Sequence, residues 1–77
     1  MISYNDFFKM VKKDYKESFG DSESGIDEYF ETDDVKDEIR TRYKGLESGY
    51  AMNKGMDKDA FLKSSASSVS YCLFLMR

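Results

Sequence analysis

The chain has 77 residues, with 12 basic and 15 acidic side chains, a formal net charge of −3, one cysteine and no histidine. A chain of this length forms one domain with a modest core, because only about 60–65% of the unfolded surface is buried at this size. The absence of histidine excludes Ser-His and Cys-His nucleophile pairs and His-containing zinc sites, and the single Cys72 excludes an intramolecular disulfide.

The first predicted element is an amphipathic helix over residues 4–19. Ser3 or Asn5 is expected to accept a hydrogen bond from the first free N–H groups, and Gly20 to follow the last turn. Its apolar side chains recur at three- and four-residue steps, which places them on one face. They are Tyr4, Phe7, Phe8, Val11, Tyr15 and Phe19.

Residues 20–32 are predicted to form an acidic loop or a short helical turn. Their first half contains glycines, serines and acids without apolar periodicity, so it has little to pack against a core. Ile26, Tyr29 and Phe30 are expected to form a helical turn that covers one end of the core.

A second helix is predicted over residues 33–54, with Thr32 as its N-cap. Gly45 and Gly49 lie inside it, and each costs about 1 kcal/mol relative to alanine. Two alternatives follow from the glycines. Either the helix breaks at Gly45, or the pair provides a smooth surface that another helix approaches closely.

A third helix is predicted over residues 57–76, with Asp57 as N-cap and Met56 placed to pack on Phe61. Five serines between residues 64 and 70 give its middle small side chains, which we expect to lie close to the glycine pair. A strand over residues 69–76 is the alternative, and it is disfavoured because no second strand is available to pair with it. The predicted fold is therefore a single all-α domain over residues 1–77, a compact bundle of three principal helices.

The net charge conceals a strong segregation along the chain. Residues 21–38 contain nine acids and one base, whereas the segments on either side are basic overall. One interpretation is a solvated loop followed by a helix N-terminus, where acids are favoured by the helix dipole. The other is a recognition surface, because Arg and Lys bind carboxylates as they bind phosphates. The predicted partner-binding residues are Asp21, Glu23, Asp27, Glu28, Tyr29, Glu31, Asp33, Asp34, Asp37 and Glu38.

No metal site, cofactor or enzymatic activity is predicted. Counting from Asp21, the positions that a calcium loop reserves for glycine and glutamate are Ile26 and Thr32. A three-helix chain of this size offers no deep cleft in which to raise the pKa of one carboxylate. No apolar run is long enough to cross a membrane, and no export signal is visible, so the expected location is the cytoplasm.

The predicted function is binding without catalysis. We hypothesise a small acidic inhibitor or accessory protein that docks on a basic, nucleic-acid-handling surface of a larger protein. Small proteins of phages and mobile elements, including inhibitors of bacterial defence nucleases such as CRISPR effectors, often have this composition, although no shared motif supports the likeness.

Two other classes of function compete with this prediction. The alternative is a self-associating structural or regulatory module, a homodimer formed through Tyr71, Phe74 and Leu75, with no target related to nucleic acids. Direct binding of nucleic acid is disfavoured, because acids interrupt the basic stripe of the first helix and the isoelectric point is about 4.8. That stripe consists of Lys9, Lys12, Lys13 and Lys16.

Overall fold

A computed structural model describes residues 2–20, 24–52 and 55–77. Five helices follow one another, and no strand occurs in these residues: α1 (Tyr4–Phe19), α2 (Ile26–Phe30), α3 (Asp33–Lys44), α4 (Leu46–Met52) and α5 (Lys58–Met76). The prediction of a small all-α bundle is confirmed. The alternative strand over residues 69–76 is wrong, because these residues belong to α5.

The two longest helices begin and end close to the predicted positions. Ser3 caps α1 by accepting a hydrogen bond from the backbone N–H of Asp6 at 3.2 Å, and Asp57 caps α5 by accepting one from Ala60 at 3.1 Å. Helix α1 packs mainly against α5, and their apolar faces form most of the core. The shorter helices α2, α3 and α4 complete it. The largest fully buried side chains are Tyr15, Phe7, Phe30, Ile39, Leu73, Val11 and Val35.

The single helix predicted over residues 33–54 is two helices, and Gly45 separates them. The N–H of Gly45 donates to the carbonyl of Arg42 at 3.1 Å, which tightens the last turn of α3. Helix α4 then begins at Leu46, whose side chain is buried, and ends at Met52. The remainder of the prediction, residues 53–54, lies outside the described residues.

Helix α2 confirms the short helical turn expected within residues 20–32. Gly25 precedes it with φ +69°, a left-handed conformation that glycine adopts without steric cost. Phe30 is fully buried, whereas Ile26 and Tyr29 are partly buried against the core. The turn covers one end of the bundle as expected.

The exposed area of the chain is that of an ordinary folded monomer. It amounts to 5090 Å², against about 4,900 Å² from the scaling of surface with mass for 9.0 kDa. Within the described residues, no helix combines the length and the apolar character needed to cross a membrane.

Candidate functional site

Two aromatic side chains attach the short helix α2 to the core. The ring centroid of Phe30 lies 5.8 Å from that of Phe8 and 5.3 Å from that of Tyr15. The hydroxyl of Tyr29 donates a hydrogen bond to the carbonyl of Leu73 at 2.7 Å. Because these rings occupy the inner side of α2, its acidic side chains are exposed on the outer side.

Helix α3 continues the acidic surface from its first turn. The hydroxyl of Thr32 accepts a hydrogen bond from the N–H of Val35 at 3.4 Å, which fixes where the helix starts. Val35 and Ile39 are fully buried, so the residues on the opposite side of the first two turns face solvent. These exposed residues are Asp33, Asp34 and Asp37.

Asp27 on α2 is paired with two lysines of α1. Its Oδ1 lies 3.0 Å from Nζ of Lys12 and 2.9 Å from Nζ of Lys16. Hydrogen bonds from Lys16 and then Lys12, with their positive charges, lower the pKa of the Asp27 carboxyl below its ordinary value. The pairing joins α2 to α1 and engages two of the four lysines on the basic stripe.

Two further acids are paired within or beside α3. Glu31 lies 3.3 Å from Nζ of Lys36, and Glu38 accepts a hydrogen bond from Nε of Arg42 at 2.9 Å. The hydrogen bond to Glu38 raises the pKa of Arg42. A second guanidinium nitrogen of Arg42 lies 3.6 Å from Sγ of Cys72, a half-buried thiol. These contacts reduce the net charge that the acidic segment presents to solvent.

The acids that remain form the surface we call the open acidic face. Its members are exposed and have no ion pair within the described residues: Glu28, Asp33, Asp34 and Asp37. Asp37 lies four residues after Asp33 and three after Asp34, spacings at which side chains are neighbours on a helix. The positive end of the α3 dipole stabilises Asp33 and Asp34, which lie in its first turn, so the repulsion between these two is partly offset.

The ten predicted partner-binding residues therefore separate into groups with different surroundings. Asp27, Glu31 and Glu38 are in ion pairs. Tyr29 holds α2 on the bundle through its hydrogen bond. Asp21 and Glu23 lie outside the described residues. The remaining four acids form the open acidic face.

The sequence interpretation missed the role of Lys12 and Lys16. Their four-residue spacing indicated a shared helix face, but it held no information on the helix that would cover that face. Only the packing of α2 beside α1 brings Asp27 to them.

A groove between α3, α4 and α5 also went unpredicted. It has a volume of about 500 Å³ and lies where the glycine pair and the serines were expected to let two helices approach closely. No serine of α5 approaches either glycine: a Cβ at Gly49 would lie 3.3 Å from Cζ of Phe61, and one at Gly45 would lie 3.6 Å from the carbonyl oxygen of Arg42. Elsewhere the small residues leave open space. The groove has an apolar floor and a rim of small and polar residues that includes Gly45, Thr41, Arg42, Ser64, Ser65 and Ser68.

Within the described residues, no group of three or more acidic or cysteine side chains is placed to hold a metal ion. Comparisons with protein-family models, with curated proteins and with solved structures found no match to this chain.

Proposed function

We propose that this chain is a protein-binding module without enzymatic activity, and that it docks the open acidic face on a basic surface of a larger, nucleic-acid-handling protein. The observation that carries the proposal is the set of four exposed acids that retain their charge after the neighbouring acids are paired. The guanidinium and ammonium groups that bind phosphates also bind carboxylates. A docked copy of this chain would therefore compete with nucleic acid for the same surface.

The attachment of the acidic face to a packed bundle favours such docking. Val35 and Ile39 anchor α3 in the core, and Phe30 anchors α2, so the backbone that carries the acids is already ordered. A partner would not have to order a flexible acidic segment on binding, and the entropic cost of association is correspondingly smaller. The charge would increase the association rate and make binding sensitive to salt.

The test is capture of a partner from lysate of the source cell or its host with two variants of equal net charge. The face variant replaces three exposed acids of the open acidic face, and the control variant replaces three exposed acids elsewhere. The face variant carries Glu28→Gln, Asp34→Asn and Asp37→Asn. The control variant carries Glu17→Gln, Glu47→Gln and Asp59→Asn.

We expect the unmodified chain and the control variant to capture one nucleic-acid-binding protein at low salt and to release it at high salt. The face variant should recover at least about tenfold less, because close charge pairs across an interface contribute strongly. The purified target should then lose nucleic acid when the unmodified chain is added. Equal recovery by the two variants, or a target that binds nucleic acid unhindered, would contradict the proposal.

A further inference from the structure

Helix α5 has an outward face without charge. No acidic or basic residue occurs from Ser64 to Met76, although the helix is long and one side of it faces solvent. The outer face of a surface helix normally carries charged and polar side chains. The exposed positions in this stretch are Ser64, Ser67, Ser68, Tyr71, Leu75 and Met76. Four of them, Ser64, Ser68, Tyr71 and Leu75, lie along one line of the helix, which we call the outer stripe.

The large side chains of the outer stripe are well exposed. Tyr71 is 56% exposed and Leu75 is 65% exposed. Phe74, which the sequence also suggested for self-association, is instead stacked on Phe19 with a centroid distance of 4.2 Å and helps to close the monomer's own core. The large side chains of α5 that stay exposed are Tyr71, Leu75 and Met76, and the first two of these lie on the outer stripe.

The spacing of the outer stripe is that of a helix–helix seam. Its residues follow at steps of four, three and four, as the a and d positions of a heptad do. When two such helices pair in antiparallel orientation about a twofold axis between Val69 and Ser70, Leu75 of one copy lies opposite Ser64 of the other. In the same register Tyr71 lies opposite Ser68, so each large side chain faces a small one.

The groove provides space for these large side chains. Ser64, Ser65 and Ser68 form one wall of its volume of about 500 Å³. Of these, Ser64 and Ser68 are the positions that face Leu75 and Tyr71 of a second copy in the antiparallel register. The same helix therefore carries a protruding half, with Tyr71 and Leu75, and a recessed half beside the serines.

The pattern of large and small side chains along the outer stripe, which is complementary to itself, points to a second copy of this chain as the occupant. A twofold contact brings a surface against itself, so the surface must be complementary to itself. The outer stripe itself contains no charge, and Arg42, on the rim of the adjoining groove, is paired with Glu38 of its own chain. The open acidic face would instead place carboxylates against carboxylates. The core of the single chain does not include the outer stripe, so the contact would form between chains that each have their own core.

We propose that two copies of this chain associate through α5 in antiparallel orientation, with Tyr71 and Leu75 of each copy seated beside Ser68 and Ser64 of the other. Helix α5 has 19 residues and is about 28 Å long, so the contact lies at the small end of specific interfaces. We expect a dissociation constant of about 10–100 μM. This surface is separate from the open acidic face, and the proposal does not depend on the proposed function.

Sedimentation velocity over about 5–500 μM tests the dimer. The unmodified chain should change from monomer to dimer over this range, and Leu75→Glu should raise the dissociation constant at least tenfold. Met52→Glu is the matched control, because Met52 is 86% exposed on α4 and should not affect dimerisation. A monomer at every concentration, or equal effects of the two substitutions, would overturn the proposal.

Cross-linking tests the register, with Cys72 replaced by serine in every variant. A mixture of Ser64→Cys and Leu75→Cys chains should form a disulfide-linked heterodimer. Neither variant should cross-link with itself, because like positions lie about 16 Å apart along the antiparallel pair, beyond disulfide reach. Self-linking of Ser64→Cys chains would overturn the antiparallel register.

The proposed dimer and the proposed function can be refuted independently of each other. The face variant, with its three neutralised acids, should dimerise like the unmodified chain. Leu75→Glu should still capture the salt-sensitive partner.

Discussion

Replacing Tyr15 by phenylalanine should stabilise the protein, although the side chain is fully buried in the core. Its ring lies between Phe19 and Phe30, with centroid distances of 5.2 and 5.3 Å. Its hydroxyl has no hydrogen-bond partner within the described part of the chain. A buried polar group without a partner costs about 1–3 kcal/mol, and phenylalanine removes that cost while preserving the ring contacts.

We expect Tyr15→Phe to increase the free energy of unfolding by about 1 kcal/mol. The entropy of unfolding is about 2.1 cal/mol/K per residue, so for 77 residues this gain in free energy corresponds to an increase in Tm of about 6 °C. Urea and thermal unfolding followed by far-ultraviolet circular dichroism would measure both quantities.

Two other tyrosines provide controls in which the same atom is removed. The hydroxyl of Tyr43 donates to the carbonyl of Ile2 at 2.9 Å, and that of Tyr29 donates to the carbonyl of Leu73 at 2.7 Å. Replacing either one by phenylalanine should lower the free energy of unfolding by about 1 kcal/mol, because a carbonyl loses its donor. If Tyr15→Phe destabilises the chain as much as these controls do, the reasoning is refuted.

Two further predictions concern polar contacts between helices. Ser70 on α5 is buried, and its hydroxyl donates a hydrogen bond to the Asp14 carboxylate on α1. Ser70→Ala should lower the free energy of unfolding by about 1 kcal/mol. In a double-mutant cycle, the losses in stability caused by Ser70→Ala and Asp14→Asn should be less than additive, and purely additive losses would contradict this contact. Lys16 and Lys12 lower the pKa of Asp27, so the stabilisation by Asp27 is present above the ordinary carboxyl pKa and is lost as pH falls through the lowered value. Asp27→Asn should therefore be less stable than the unmodified chain near neutral pH, and the two should be equally stable in acid. Urea midpoints measured at both pH values would test this. A difference in stability that persists in acid would argue against the ion pairs.

The sequence alone predicted the elements whose signals are local. Helices α1 and α5 were recognised because a cap and an apolar period lie within each segment, and these features depend only on neighbouring residues. The acidic character of residues 21–38 was equally direct, since charge can be counted along the chain. The choice at Gly45 stayed open, because a glycine weakens a helix without deciding whether tertiary packing will end it there.

Only the tertiary structure decided how those elements meet. The position of α2 beside α1 determines that Asp27 is neutralised by Lys12 and Lys16, while Asp33 and Asp34 keep their charge exposed. Packing also determines that Phe74 closes the core on Phe19 and leaves Tyr71 outside. Such outcomes depend on contacts between residues far apart in the sequence, and helix periodicity specifies a face without specifying what will cover it.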